Sequence, residues 1–117
     1  MSYKLELPWP PSINGYWATF KNRRIISKKG RQYKKDVYQA VRAKNLLDEK
    51  LGGDLVVNII LNPPTLRRYD VDNYVKCIFD SLGEAGFWVD DSQVVRLVVE
   101  KGVKTKGGNA LVTVLQR

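Results

Sequence analysis

The almost continuously apolar segment Leu55–Leu61 restricts the possible folds of this chain more than any other segment. It reads LVVNIIL, and it lies between Gly52-Gly53 and Asn62-Pro63-Pro64, which are typical of turns. A strand this apolar is expected at the centre of a sheet, covered on both faces. The chain should therefore build a sheet with helices packed against it.

The segments before this strand predict one strand and one helix. Tyr3, Leu5 and Leu7 alternate with polar residues, which indicates a strand with one buried face, and prolines follow it. Residues 31–50 carry apolar side chains at mostly helical spacing and lysines and arginines elsewhere on the wheel. We expect a basic amphipathic helix that ends at Gly52-Gly53. Between the two, residues 12–30 show no clear period and predict a loop or an irregular hairpin.

The segments after the central strand predict a second helix and two further strands. The helix should begin near Asp72, a good N-cap residue, and end near Gly86, a good C-terminal glycine. Val94–Lys101 and Leu111–Leu115 are then predicted strands, and the sequence GVKTKGGN between them suits a hairpin. The resulting order is β-α-β-α-β-β. It predicts an α+β sandwich with a mixed sheet, formed by residues 1–117 as a single domain.

Composition excludes several kinds of site. The chain of 117 residues has one cysteine, Cys77, and no histidine. An internal disulfide, a zinc site of the usual ligands and an imidazole general base are therefore excluded. A lone cysteine fits a reducing compartment, and no apolar run approaches the roughly 18 residues of a membrane span. These features predict a soluble, cytoplasmic protein with no membrane contact.

The positive charge is confined to one part of the chain. The formal net charge is +8, and residues 21–50 alone contain eleven lysines or arginines against three acidic residues. A solvated helix face could account for such a run, but the run is cationic and does not alternate in sign, which favours contact with phosphates. Just before this run lie Tyr16, Trp17 and Phe20, which suit either core or lid packing or stacking on exposed bases.

The acidic residues are concentrated elsewhere, between Asp70 and Asp91. This segment contains six of the twelve acidic residues and a single basic one, Lys76. Asp70 and Asp72 are separated by one residue, so in an extended segment their side chains would leave the same face. Oxygen ligands of this kind suit Mg²⁺ or Mn²⁺, and Asp91 could supply a third ligand.

Each of these residues also has a purely structural interpretation. Asp72 could cap a helix, Asp70 could stabilise a turn, and Asp90-Asp91 could form a polar bend before a strand. Lys76 and Asp80 are four residues apart and could form an ion pair on one helix face. Asp80 and Glu84 are expected to be ordinary surface partners of that helix.

Several motifs resemble those of the RusA family of Holliday junction resolvases. The matching residues are Asp70-Val71-Asp72-Asn73, Lys76, Phe79-Asp80, Ala85-Gly86-Phe87-Trp88-Val89-Asp90-Asp91, Gln93-Val94-Val95 and, near the start, Leu7-Pro8-Trp9-Pro10-Pro11-Ser12 with Asn14. Together they cover nearly the whole chain. The resemblance implies a RusA-like fold and a Mg²⁺-dependent endonuclease that cuts four-way DNA junctions by paired symmetric nicks as a homodimer, with no small-molecule cofactor.

The resemblance also implies roles for single residues. Asp70, Asp72 and Asp91 correspond to the essential metal-binding aspartates of the family, Lys76 corresponds to its catalytic lysine, and Asp90 is a possible further ligand. Val71 and Tyr74 stand where leucine is usual. Tyr69 stands where an arginine can precede the first aspartate, and we expect it to alter contact with DNA.

We predict that DNA is bound by cationic and polar residues in two parts of the chain. The first set is Lys21, Arg23, Arg24, Lys28, Lys29, Arg31, Lys34 and Lys35, and the second is Arg67, Arg68, Tyr69 and Asn73. Two alternatives to a junction resolvase stay open on the sequence: a DNA-binding or regulatory module of the same fold that does not cut, and a metal-dependent RNA nuclease.

Overall fold

A computed structural model describes residues 2–117, whose helices and strands follow the predicted order. Residues 12–30, predicted as a loop or an irregular hairpin, contain a short helix and a hairpin. In chain order the helices and strands are β1 (Ser2–Pro8), α1 (Ile13–Tyr16), β2 (Trp17–Phe20), β3 (Arg23–Ile26), α2 (Lys28–Ala43), β4 (Leu55–Asn62), α3 (Val75–Glu84), β5 (Val94–Lys101) and β6 (Asn109–Gln116). Two 3-10 turns, Val71–Tyr74 and Asp91–Gln93, flank α3 and its connection to β5.

Four of the strands form one sheet, in the spatial order β1-β6-β4-β5. β4 is parallel to β5 and antiparallel to β6, and β6 is also antiparallel to β1. β2 and β3 form a separate two-stranded hairpin. The predicted α+β class and the mixed sheet are therefore confirmed.

Helices cover one face of the sheet. Along β4, Leu55, Val57, Ile59 and Leu61 are buried, whereas the alternate residue Asn58 is exposed. The central position predicted for this strand is correct, but the prediction that both faces are covered is wrong. The other face is open because α2 and α3 pack on the same face of the sheet. There the buried residues of β4 form one core with Val37, Val41, Ile78 and Leu82 of the two helices.

The predicted hairpin between the last two strands is also wrong, because β4 lies between β5 and β6. The connecting residues 102–108 cross the C-terminal end of β4 instead. Gly102 N–H donates to Leu61 O (2.8 Å), and Thr105 N–H donates to Pro63 O (2.8 Å). Asn62 Oδ1 accepts from Val103 N–H at 3.0 Å and so fixes the start of the crossing.

The first long helix starts earlier and ends earlier than its sequence predicts. It begins after Ser27, whose hydroxyl oxygen accepts from Gly30 N–H at 3.0 Å, as an N-cap residue does. It ends at Ala43 and not at Gly52-Gly53, because Asn45 turns the chain with a φ of 59°. Asparagine tolerates this left-handed conformation better than most residues.

The second long helix has a 3-10 turn before it, so Asp72 is not its N-cap. Asp70 precedes this turn with extended backbone and makes no side-chain capping bond. The α-helix proper covers Val75–Glu84, and Gly86 follows with a φ of 73°, as predicted for a C-terminal glycine.

No helix within residues 2–117 is long and apolar enough to cross a membrane.

Candidate active site

An aromatic trio supports the segment that carries Asp70 and Asp72. The trio consists of Trp9, Tyr69 and Tyr74, whose rings contact one another with centroid distances of 4.9–5.7 Å. Tyr69 hydroxyl also lies 3.5 Å from Leu61 O, and Lys101 Nζ lies 4.6 Å from the centre of its ring. Leu61 and Lys101 are at the C-terminal ends of β4 and β5, so the segment is anchored at this end of the sheet.

The trio shows what the motif around Trp9 does. The sequence places Trp9 in a family motif but indicates no role for it. In the structure it packs against both tyrosines next to the first two aspartates. The only sequence signal was the motif itself, because the contact joins residues about 60 positions apart.

Asp70 and Asp72 are exposed carboxylates. Neither forms a hydrogen bond or an ion pair with another side chain within residues 2–117. Asp70 has extended backbone (φ −103°, ψ 129°), whereas Asp72 lies inside the 3-10 turn, so the two do not share one extended segment as predicted. Two accessible carboxylates with no competing cation fit the oxygen ligands that Mg²⁺ prefers.

Lys76 lies on the first turn of α3 and pairs with Asp80, as the structural alternative predicted. Its Nζ is 3.1 Å from Asp80 Oδ1, and its side chain is about half exposed. Tyr16 hydroxyl donates to Asp80 Oδ2 at 2.9 Å. Burial, and next the bond to Asp80, raise the pKa of Tyr16 well above its usual value. Asp80 therefore joins α1 to α3 and does more than pair on the surface.

Asp90 caps the 3-10 turn that precedes β5. Its carboxylate accepts from Gln93 N–H and from Ser92 Oγ at 2.6 Å, and the Gln93 side chain accepts from Asp90 N–H at 2.8 Å. The bond from the Ser92 hydroxyl is the main cause that lowers the pKa of Asp90. Gln93 also donates to Leu51 O at 2.9 Å, which fixes this turn beside the start of β4.

The structure does not bring the three predicted metal ligands together in one chain. Asp91 lies in the 3-10 turn just before β5, in a depression that it shares with Asp80, Glu84 and Lys34. Asp70 lies near the other end of β5, and Val94 and Lys101 are roughly 23 Å apart along that strand. Accordingly, no three acidic or cysteine side chains within residues 2–117 are grouped closely enough to hold a metal ion. The assignment of the triad stays a prediction.

Three of the predicted DNA-binding residues, Lys21, Arg23 and Arg24, lie on the β2–β3 hairpin. Its turn residues Lys21 and Asn22 have φ angles of 50° and 62°, as a two-residue hairpin turn requires. Arg24 stacks 4.5 Å from the centre of the Trp17 ring, and Lys21 lies 5.4 Å from that of Phe20. The Phe20 side chain is 58% exposed, so the hairpin presents an aromatic ring among cations.

The remaining predicted DNA-binding residues differ in how accessible they are. Lys34 is the least available on α2, since it pairs with Glu84 and its side chain is 18% exposed. Asn73 is half-buried in the 3-10 turn. Several others are exposed: Lys28, Lys29, Arg31 and Lys35 on α2, and Arg67 and Arg68 beside the aromatic trio. The cations therefore form two surfaces, one on the hairpin and α2 and one at the C-terminal end of β4.

A comparison with known protein families identifies the family of this chain. The family model described as Endodeoxyribonuclease RusA matches residues 8–114. The chain belongs to the RusA family. Its α+β fold with a mixed sheet is consistent with that membership, and the resemblance noted in the motifs is confirmed.

Curated relatives of the RusA family are similar to this chain over nearly its whole length. The crossover junction endodeoxyribonuclease of Enterobacteria phage 82 is 39% identical over 98% of this chain and 95% of its own length. The protein of the same name from Escherichia coli strain K12 is 38% identical with the same coverage. That of Enterobacteria phage HK97 is 42% identical over 91% of this chain and 88% of its own length.

Proposed function

We propose that this RusA-family protein is a Holliday junction resolvase, which cuts four-way DNA junctions by paired symmetric nicks during recombination and repair. The similarity to enzymes named crossover junction endodeoxyribonucleases, which spans nearly the full length of both chains, carries this proposal. We further propose that the protein works as a cytoplasmic homodimer. The two-fold symmetry of a dimer would match two symmetric cuts.

Asp70 and Asp72 would hold a divalent cation, for which we propose Mg²⁺, with Mn²⁺ as a substitute. When bound, such an ion lowers the pKa of water and offsets charge on the scissile phosphate. The carboxylates are exposed and bound to no other side chain within the described residues, which supports this role. Asp91 completes the ligand set in our proposal, and Asp90 is a less suitable ligand because it already caps a turn.

Lys76 would contribute positive charge at the scissile phosphate. It lies four residues after Asp72, on the first turn of α3, with its side chain about half exposed. Its partner Asp80 also accepts a bond from Tyr16, so Asp80 stays in place when Lys76 turns toward a phosphate. The chain has no histidine that could act as the base instead.

Substrate selectivity tests the proposed activity. We expect the protein to cut a four-way DNA junction in Mg²⁺ and to leave its linear duplex arms uncut. Cutting should stop when EDTA removes the metal and return when Mg²⁺ is restored, because coordination supplies the Lewis acid. The products are measured on denaturing gels. An RNA four-way junction serves as a third substrate for the RNA-nuclease alternative.

Asp72→Asn is the matched control for this experiment. It should abolish cutting while junction binding stays the same or tightens, because a negative charge near phosphate is removed. Equal cutting of junction and duplex arms would refute a resolvase. Binding without any cutting by the wild-type protein would instead indicate a non-cleaving module.

A further inference from the structure

Lys76 has two acidic neighbours on its helical segment and pairs with only one of them. Asp72 stands four residues before it and Asp80 four residues after it. Residues four apart in a helical segment are neighbours, so the long lysine side chain can reach either carboxylate. In the structure Lys76 Nζ lies 3.1 Å from Asp80 Oδ1, and no ion pair within residues 2–117 joins it to Asp72. The choice matters because a lysine paired with Asp72 would compete with a metal ion there.

The helical spacing by itself favours the other pair. An acidic residue four positions before a lysine gives a better ion pair than one four positions after it, because of the helix dipole. The order Asp72 to Lys76 is therefore the better one, yet the structure has the order Lys76 to Asp80. Either pair alone is weak on an exposed helix, so a contact from elsewhere in the fold can decide between them.

Tyr16 supplies that contact from the end of α1. Its hydroxyl donates to Asp80 Oδ2 at 2.9 Å, so one oxygen of this carboxylate faces Tyr16 and the other faces Lys76. The Tyr16 side chain is fully buried, and its ring packs edge-on against Trp17 at 5.1 Å. Its backbone oxygen accepts from Ser27 N–H at 2.8 Å. A donor held by its surroundings in this way fixes the Asp80 carboxylate in one place.

The surroundings of Asp80 add to the preference. Its side chain is 22% exposed, whereas Asp72 is exposed, so solvent screens the pair with Asp80 less. A second cation, Lys34, lines the same depression as Asp80 but pairs with Glu84. Asp80 is therefore left to Lys76.

We infer that Tyr16 and Asp80 are positioning residues, which hold Lys76 away from Asp72 and so keep the Asp72 carboxylate free for a metal ion. Tyr16 touches neither the metal nor the DNA and acts only through Asp80. Lys76 leaves Asp80 for a phosphate when the junction binds. This inference rests on the proposed function where it assigns Asp72 to a metal ion. The preference of Lys76 for Asp80 rests on the contacts alone.

Binding of Mn²⁺ to the free protein tests this role without any measurement of cleavage. Tyr16→Phe keeps the ring and removes the hydroxyl, so Lys76 should turn to Asp72 and the affinity for Mn²⁺ should fall about 3-fold. Asp80→Asn should also weaken Mn²⁺ binding, because it removes the charge that holds Lys76. Isothermal titration calorimetry measures the affinity, and circular dichroism checks that each variant is folded.

Lys76→Ala removes the competing cation and separates positioning from a general structural role. In a Lys76→Ala background, Tyr16→Phe should leave the affinity for Mn²⁺ unchanged, because no lysine is left to occupy Asp72. Tyr33→Phe is the matched control, since Tyr33 is also buried and its hydroxyl donates to Pro8 O at 2.9 Å. This control should bind Mn²⁺ as tightly as the wild type.

Cleavage of a four-way junction should show the same effect as a shift in metal dependence. For Tyr16→Phe, the Mg²⁺ concentration that gives half of the maximal nicking rate should rise about 3-fold. The rate at saturating Mg²⁺ should stay close to that of the wild type, because excess metal displaces the lysine by mass action.

The outcomes separate the two proposals. Unchanged Mn²⁺ affinity in Tyr16→Phe, or an equal loss of affinity with and without Lys76, would overturn the positioning role. A protein whose Mn²⁺ affinity follows these expectations but that cuts no junction would refute the proposed function and leave the positioning role in place.

Discussion

The acidic residues between Asp70 and Asp91 differ in what already binds them. Asp80 is held by Lys76 and by the Tyr16 hydroxyl, and Asp90 is held by the 3-10 turn that it caps. Asp70 and Asp72 have no such side-chain partner within the described residues. A carboxylate whose oxygens already accept protein bonds is a poorer metal ligand than a free one. At the residue scale, hydrogen bonding therefore separates candidate ligands from structural acids.

Lys76→Ala tests the role of the only cation in this segment. We expect nicking of the four-way junction to slow by about 10²-fold, because charge at the phosphate is lost, while junction binding is largely kept. The free energy of unfolding should change by only a few tenths of a kcal/mol, since Lys76 is about half exposed and its pair with Asp80 is screened by solvent. Single-turnover cleavage, gel shift and urea denaturation measure the three quantities.

Lys76→Arg is the matched variant, because it keeps the charge and should retain part of the activity. Loss of binding in parallel with cleavage in Lys76→Ala would assign this lysine to docking and not to catalysis.

At the scale of elements, the crossing of residues 102–108 over β4 decides the strand order. Asn62, the last residue of β4, donates through Nδ2 to Asn109 Oδ1 at 2.8 Å and accepts from Val103 N–H at 3.0 Å. One side chain thus holds both ends of the connection between β5 and β6. This crossing places β6 in the sheet between β1 and β4 and leaves β5 as the outer edge.

Gly102→Ala should disturb this crossing. A Cβ at Gly102 would overlap Asn62 Oδ1 and lie 2.8 Å from Ile60 Cγ2. We expect a loss of about 1–3 kcal/mol in the free energy of unfolding, as for other overpacked sites. Urea denaturation followed by circular dichroism measures it. Gly52→Ala is the control, because its Cβ would meet nothing within 4 Å. Equal stability of the two variants would refute the packing role of Gly102.

At the scale of the whole molecule, the charges of opposite sign occupy different elements. The excess of positive charge in residues 21–50 lies on the hairpin, on α2 and in the segment after it, whereas the six acidic residues between Asp70 and Asp91 flank or lie on α3. Phosphate contacts by the exposed cations should make junction binding steeply dependent on salt. Binding and cutting are thus predicted for separate surfaces of one fold.

Arg23→Ala tests the contribution of the hairpin. The slope of log K against log salt for junction binding should fall by about 1, because one phosphate contact is lost. Lys4→Ala removes an equal charge from β1, away from the hairpin, and should leave the slope unchanged. Fluorescence anisotropy over a range of salt concentrations measures both. Equal slopes for the two variants would show that only net charge matters.

The sequence by itself predicted the features that depend on neighbouring residues. Alternation in β1, the apolar stripe of α3 and the glycine at position 86 are local patterns, and the structure confirms the elements that they predict. The family motifs can also be recognised without the structure, because each is a run of specific residue types. Helix ends were less predictable: Asn45 and Ser27 set the limits of α2 through backbone conformation and a side-chain bond.

Only the tertiary structure decided how these elements are arranged in space. The uncovered face of β4, the place of β6 between β1 and β4, and the exposed edge of β5 depend on contacts between residues far apart in the chain. The same holds for the aspartates. Asp70 and Asp91 are linked by a helix and its connections that run from one end of the parallel pair to the other, so their separation follows from topology and not from local sequence.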